Sequence, residues 1–242
     1  MSSEWKARRF WTKASVTTAD TGFGVALDGR PVKTPAKRPL VVPTRALAAA
    51  IAAEWDAQEQ VIDPESMPLT RAANAAIDKV TIQAPEVAAM LAAYAETDLI
   101  CHRASDEPEL IARQDEGWNP LLDWCAAQGL PLVAGPGVLP HAQPPASLAG
   151  YAARLSAMSP WDLTALHDLV ALTGSLVLGL AVFDGRLGAD QAWHLSRIDE
   201  DWQAERWGRD DEAVEAAEVK RAAHARAARL LALLRDNPPA KA

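Results

Sequence analysis

Four carboxylates crowd residues 196–208, SRIDEDWQAERWG: Asp199, Glu200, Asp201 and Glu205 stand among Arg197, Arg206, Trp202 and Trp207. A general acid and base can be drawn from two carboxylates, but proton transfer also needs a partner held at hydrogen-bond distance. No histidine or lysine lies in register with these acids, which weakens the catalytic reading. On a helical wheel of roughly 100° per residue, Leu195, Ile198 and Trp202 form a stripe expected to face the core. Trp193, Glu200 and Trp207 follow on a second face, with Asp199 and Gln203 between the two. In the plainest reading Trp193 and Trp207 pack on the following helix, near 211–235, and the acids are solvated. The functional reading is an interaction surface, since tryptophan within a polar rim is the composition enriched at binding hot spots.

Other candidate chemistry is sparse. The histidines, His102, His141, His167, His194 and His224, are scattered without HxxxH, HExxH or Glu-x-x-His spacing, so no metal site is expected. His167, early in the most apolar helical stretch, is expected to be a satisfied core histidine. Ser175 in LTGSLVLG lacks the GxSxG elbow of a hydrolase nucleophile. Gly22-Phe23-Gly24 opens a strand rather than following one, and neither GxGxxG nor GxxxxGK[ST] occurs, so no nucleotide and no other cofactor is called for. The most basic stretch, LDGRPVKTPAKRP at 27–39, carries Arg30, Lys33, Lys37 and Arg38 and reads as a charged turn that blunts a sheet edge.

The elements that must position the acids follow from pattern and composition. At 242 residues, 49% hydrophobic, the chain can bury a sizeable core. A net charge of −8 argues against nucleic acid, whose binding rests on clustered Lys and Arg. Cys101 and Cys125, far apart and outside any CxxC, read as reduced thiols. The uncharged run 169–183 is short of the roughly 20 residues a membrane span needs, so no membrane insertion is expected. MSSEWKARRFW contains no apolar core of a signal peptide.

Alternation over Arg9–Thr17 and Phe23–Leu27, with the turn signal Asp28-Gly29, predicts a short antiparallel sheet, extended by short or edge strands at Val32-Lys33 and Leu40–Val42. Thr44 is placed to cap a helix bearing Leu47, Ile51 and Trp55 on one face, and Trp55 is expected to anchor its packing. Further helices are predicted over Leu69–Val80 and near 86–98, 109–127, 147–157, 161–183, 188–207 and 211–235. The Pro/Gly-rich stretch Gly129–Pro145 is read as a long loop within one helical domain. The expected class is α+β: a small β-rich amino-terminal domain, residues 1–83, followed by a larger multihelical domain, residues 84–242.

GFGVALDGRPVKTP, PLVVPTRALAAAIAAEWDAQ, MPLTRAANAAIDKV, ETDLICHRA and SPWDLTALHDLVALTGSLVLGLA, with SRIDEDWQAERWG, resemble in order, from about residue 8 to 215, the assembly chaperone for the α subunit of the ATP synthase catalytic head. The resemblance implies a mixed amino-terminal and a helical carboxyl-terminal domain, no catalytic turnover, and a client, the free α subunit, shielded until β subunits displace it. It also implies an acidic client contact within Ser196-Arg197-Ile198-Asp199-Glu200, assigned here to both Asp199 and Glu200. Gln203 and Trp207 are further client-binding candidates. Trp55, Trp202 and Gly208 are expected to be structural. Eukaryotic members work in the mitochondrial matrix behind a presequence, so this chain is expected to be a bacterial, cytoplasmic member. The alternative is an enzyme with an acid/base cleft between the two domains, using Asp199/Glu200 with Arg71 or Arg30 as an anion clamp. A structural subunit of a stable complex is a third possibility.

Overall fold

The computed structural model describes residues 8–137 and 139–236. The amino-terminal residues 1–7, part of the stretch read above for targeting signals, lie outside the described residues. The chain divides into two compact units, Met1–Ile82 with Arg229–Ala242, and Gln83–Ala228. The division therefore returns the carboxyl-terminal residues to the amino-terminal unit, where the sequence limits 1–83 and 84–242 separate them. A small sheet region followed by a larger helical part is the α+β class expected.

In the first unit, β1 (Ala14–Ala19) and β2 (Gly22–Leu27) form an antiparallel hairpin with Ala14 opposite Leu27. β3 (Arg30–Pro31) and β4 (Val41–Val42) both pair antiparallel with β2. Asp28 and Gly29 take positive φ, 46° and 81°, as a two-residue hairpin turn requires. The Asp28 carboxylate accepts the Thr12 and Lys13 amides at 2.9 and 3.0 Å. The expected strand over Arg9–Thr17 begins later, at Ala14, because the Arg9 guanidinium donates to the carbonyls of Trp11, Thr12, Asp56 and Gln58 and holds residues 9–12 in an irregular path. The predicted strand at Val32-Lys33 is displaced to Arg30–Pro31, with Lys33 making a single bridge to Pro39.

Helix α1 (Arg45–Asp56) covers this sheet with buried Leu47, Ala48, Ile51 and Ala52. Thr44 caps it, accepting the Leu47 amide at 3.2 Å and donating to the Leu233 carbonyl at 2.7 Å. The Glu54 carboxylate caps α2 (Pro68–Ala75) by accepting from the Leu69 and Thr70 amides at 2.7 and 2.8 Å, a favourable place for a negative charge. α2 runs on into a π turn, Ala76–Val80. There the Asp78 carboxylate receives the Thr34 hydroxyl at 2.7 Å and the Ala36 amide at 3.1 Å, fixing the basic turn read above.

The second unit contains α3 (Ala84–Ala93), β5 (His102–Arg103), α4 (Pro108–Ala127), β6 (Gly135–Pro136), α5 (Pro145–Ser156), α6 (Pro160–Ala171), α7 (Leu176–Phe183), α8 (Ala189–Leu195) and α9 (Ile198–Trp207). α10 (Asp211–Arg235) begins in this unit and ends in the first. The parallel β5–β6 pair was not foreseen. Apart from β6, the described residues between Gly129 and Pro144 run as a loop whose path Gln143 fixes, its amide bonding both the amide and carbonyl of Val133 at 2.8 and 2.9 Å.

Two expected helices are each broken in two. The predicted 161–183 helix divides at Leu172–Ser175, where Gly174 takes φ 69° and Ser175 caps α7 through the Leu178 amide at 3.0 Å. Asp98, fully buried, secures that break by accepting the Val177 amide at 3.0 Å. α7 is buried from Leu176 to Val182 and lies so close to α6 that a Cβ at Gly179 would meet Val170 Cγ2 at 2.5 Å. The second break, within 188–207, shapes the candidate site.

Candidate functional site

The α8–α9 break falls at Ser196-Arg197, which contain neither glycine nor proline. The Ser196 hydroxyl donates to the Trp193 carbonyl at 2.7 Å and closes the end of α8. The Leu195 carbonyl is taken instead by the Trp118 indole N–H, at 2.8 Å. α9 then starts afresh, with the Arg197 carbonyl accepting the Asp201 amide at 2.8 Å. A buried tryptophan on α4 thus satisfies a carbonyl that a continuous helix would have used itself.

The acids of α9 differ sharply in their surroundings. Asp199 is half-buried, and its Oδ1 accepts the Gln114 Nε2 at 2.6 Å. Gln114, itself buried, accepts the Ala104 amide at 2.9 Å through its carbonyl oxygen, so one side chain ties α9 to the segment before α4. Glu200 is exposed and paired with Arg197 at 2.9 Å. Asp201 is exposed as well. Glu205 forms a two-pronged pair with Arg113, at 3.0 and 2.8 Å, and Arg113 also holds Glu109 at 2.8 Å. These bonds lower the Glu205 carboxyl below the usual range and raise Arg113. Arg103 lies 5.2 Å over the Trp118 ring and pairs with Asp115 at 3.3 Å; burial pulls its guanidinium down against the opposing pull of Asp115. Three carboxylates at the start of α9 also meet the positive end of its dipole.

The tryptophans also part company. Trp193 is buried and packs at a tilt against His224 of α10, with ring centroids 5.9 Å apart, as the plain reading had it. Trp202 is buried, with Arg206 at 5.3 Å over its ring. Trp207 does not pack into a core: it is 73% exposed and stands edge-on to Trp202 at 5.5 Å. Because the helix breaks at Ser196-Arg197, the face drawn through Trp193, Glu200 and Trp207 is not continuous. Gln203 is exposed, and Gly208 ends α9 at φ 94° and ψ 160°, a region open essentially to glycine alone.

Outside this helix, Trp55 meets Trp11 edge-on at 5.2 Å. His167 is not a core histidine: its ring is half exposed and bonded to Asp168 at 2.8 Å, which raises its pKa. Ser175 serves as the α7 cap, and Arg71 is held by Glu65 at 2.6 Å. A groove of about 350 Å³ beside α4 is lined by Gly117, Pro120, Arg186 and Leu195, and the Asp199 and Glu200 carboxylates do not line it. Among the described residues no cluster of three or more His, Cys, Asp or Glu side chains forms a metal cage, and no helix is long and apolar enough to cross a membrane. Gln114 and Trp118 were missed in the sequence. Both sit on the buried face of α4, where a polar side chain signals a buried partner without naming it.

The helical unit thus presents α9 as a tethered helix with an outward tryptophan. The comparisons name the family. The ATP12 chaperone protein profile matches residues 8–126. Atp12 from Paracoccus denitrificans is 52% identical, with a TM-score of 0.93 over 96% of this chain and 100% of that one. Atu1473 from Agrobacterium tumefaciens, described as a proposed chaperone, is 40% identical with a TM-score of 0.88, over 94% of this chain and 86% of that one. The mitochondrial protein atp12 of Schizosaccharomyces pombe is 26% identical over 221 residues, 86% of this chain and 76% of the relative. The chain belongs to the ATP12 chaperone family.

Proposed function

We propose that the chain is an ATP-independent assembly chaperone that binds the free α subunit of the F-type ATP synthase catalytic head and protects it from aggregation until β subunits displace it. The observation that carries this reading is the outward face of α9. Glu200, Asp201, Gln203 and Trp207 are exposed, while Asp199 is held inward by Gln114. An exposed indole inside a charged rim fits a hydrophobic anchor on a client, and an orphan subunit of a hetero-oligomer exposes apolar interface that needs covering. Asp199 is a positioning residue in this scheme, and Glu200 and Trp207 make the contacts. No turnover is assigned: Asp199, Glu200 and Glu205 bond to Gln114, Arg197 and Arg113, none of which shuttles protons near neutral pH. The bacterial cytoplasm is the proposed compartment, supported by the likeness to the Paracoccus and Agrobacterium proteins.

The test is suppression of aggregation of purified α subunit, without nucleotide, by wild type, Glu200→Lys and Trp207→Ala. Both side chains are exposed, so both variants keep their fold by circular dichroism. Protection by wild type, with binding weakened by on the order of 2 kcal/mol in Trp207→Ala, is expected. Equal protection by all three would move the contact away from α9, and no protection by wild type would end the reading.

A further inference from the structure

Among the described residues, the first turns of α10 have no packing partner. From Asp211 to Lys220 every residue except Ala217 is exposed, Val214 and Val219 at 45% and 64%. That stretch is about 15 Å of helix at 1.5 Å per residue. A helix this short is marginal in water on its own. It persists here through its own cap, the Glu212 amide to the Asp210 carboxylate at 3.0 Å, and through continuity with the packed part of α10. The packed part begins at Arg221, which pairs with Asp190 of α8 at 3.4 Å, and continues with buried His224 and Ala227. Apolar side chains are thus kept in water on a helix whose folding does not need them there.

The charge of the molecule is gathered in the same place. Residues 198–219 hold nine acids, Asp199, Glu200, Asp201, Glu205, Asp210, Asp211, Glu212, Glu215 and Glu218, against Arg206 and Arg209, a net of −7 where the whole chain has −8. The rest of the protein is close to neutral. Such a field speeds encounter with a surface of opposite sign and discriminates against acidic ones.

We infer that the exposed start of α10 is a second docking element, continuous with α9 through Trp207, and that its occupant is a basic surface of the client bordered by apolar contacts for Val214 and Val219, which stand roughly 140° apart on the helix with Glu215 and Glu218 between them. This rests on the function proposed above and extends the contact beyond the α9 motif. The acids govern capture and the valines govern retention.

The two roles separate kinetically. Association and dissociation of purified α subunit are measured with the full chain at low and high salt, for wild type, for Glu212→Gln/Glu215→Gln/Glu218→Gln and for Val214→Gln/Val219→Gln. Glutamine is a good helix former, so helicity should be kept, and circular dichroism checks it. The charge variant is expected to associate about tenfold more slowly at low salt, with the difference vanishing at high salt. The valine variant is expected to dissociate about tenfold faster at an unchanged association rate. If wild type binds and both variants match it, the α10 contact is overturned while the α9 reading stands. If wild type does not bind, the proposed function itself falls and the inference with it. If sedimentation shows a wild-type dimer that both variants lose while client binding is unchanged, the occupant is a second copy of this chain and the client assignment is overturned.

Discussion

Asp199 illustrates how a side chain of suitable chemistry can be committed elsewhere. Read along the sequence it is one of four comparable acids. In the fold it belongs to a relay, Ala104 N–H to Gln114 Oε1 and Gln114 Nε2 to Asp199 Oδ1, that seats α9 on α4. Gln114→Ala should cost about 1–3 kcal/mol, because it leaves a half-buried carboxylate and an amide without partners. Gln114→Glu should cost more, since it sets a carboxylate against a carboxylate and removes the donor. Denaturant titration of the two variants checks the order. A smaller loss for Gln114→Glu would mean that the relay does not govern this packing.

The elements show that helix breaks decide what is presented. Gly208 ends α9 in a backbone conformation that other residues reach only with strain, yet a Cβ there meets nothing within 4 Å. Gly208→Ala should therefore destabilise by about 1–3 kcal/mol through backbone strain alone. It should also weaken client binding, because the direction of α10 after Trp207 changes. Thermal denaturation and client binding measured on the same variant separate the two effects. At the other break, Thr173-Gly174-Ser175 carries local signs of a stop and a restart, a glycine and a serine able to cap, but the uncharged apolar run across it reads as one helix. The break at Ser196-Arg197 has no such local sign. There the Trp118 indole, some eighty residues away, takes the Leu195 carbonyl that a continuous helix would use, and Gln114 holds the Asp199 side chain.

At the scale of the whole molecule, two buried groups tilt stability with pH in opposite directions. Burial raises the Asp98 carboxyl from 3.8 to about 6 despite its bonds to the Ser175 hydroxyl and the Val177 amide. Between those values the unfolded chain releases its proton first, so folded stability falls as pH rises across the window. Relative to Asp98→Asn, wild type should lose about 2 kcal/mol from pH about 4 to about 6. Denaturant titrations across that range would show a flat difference if the carboxyl is not buried as described. His224 acts the other way: burial against Trp193 lowers its pKa, so the folded state resists protonation and loses stability as pH drops below 6.5.

The sequence by itself determined the class of fold, the hairpin turn at Asp28-Gly29, the Thr44 cap and the helices with strong periodicity, because those depend on neighbours a few residues apart. Its long motifs also sufficed to point to the family. Only the tertiary structure decided which acids of SRIDEDWQAERWG are tethered and which face water, that Trp207 stands outside while Trp193 is buried, and that the start of α10 is exposed. Those outcomes depend on partners distant in the chain, Gln114 with Asp199, Trp118 with Leu195 and His224 with Trp193, and residue spacing carries no record of such pairings.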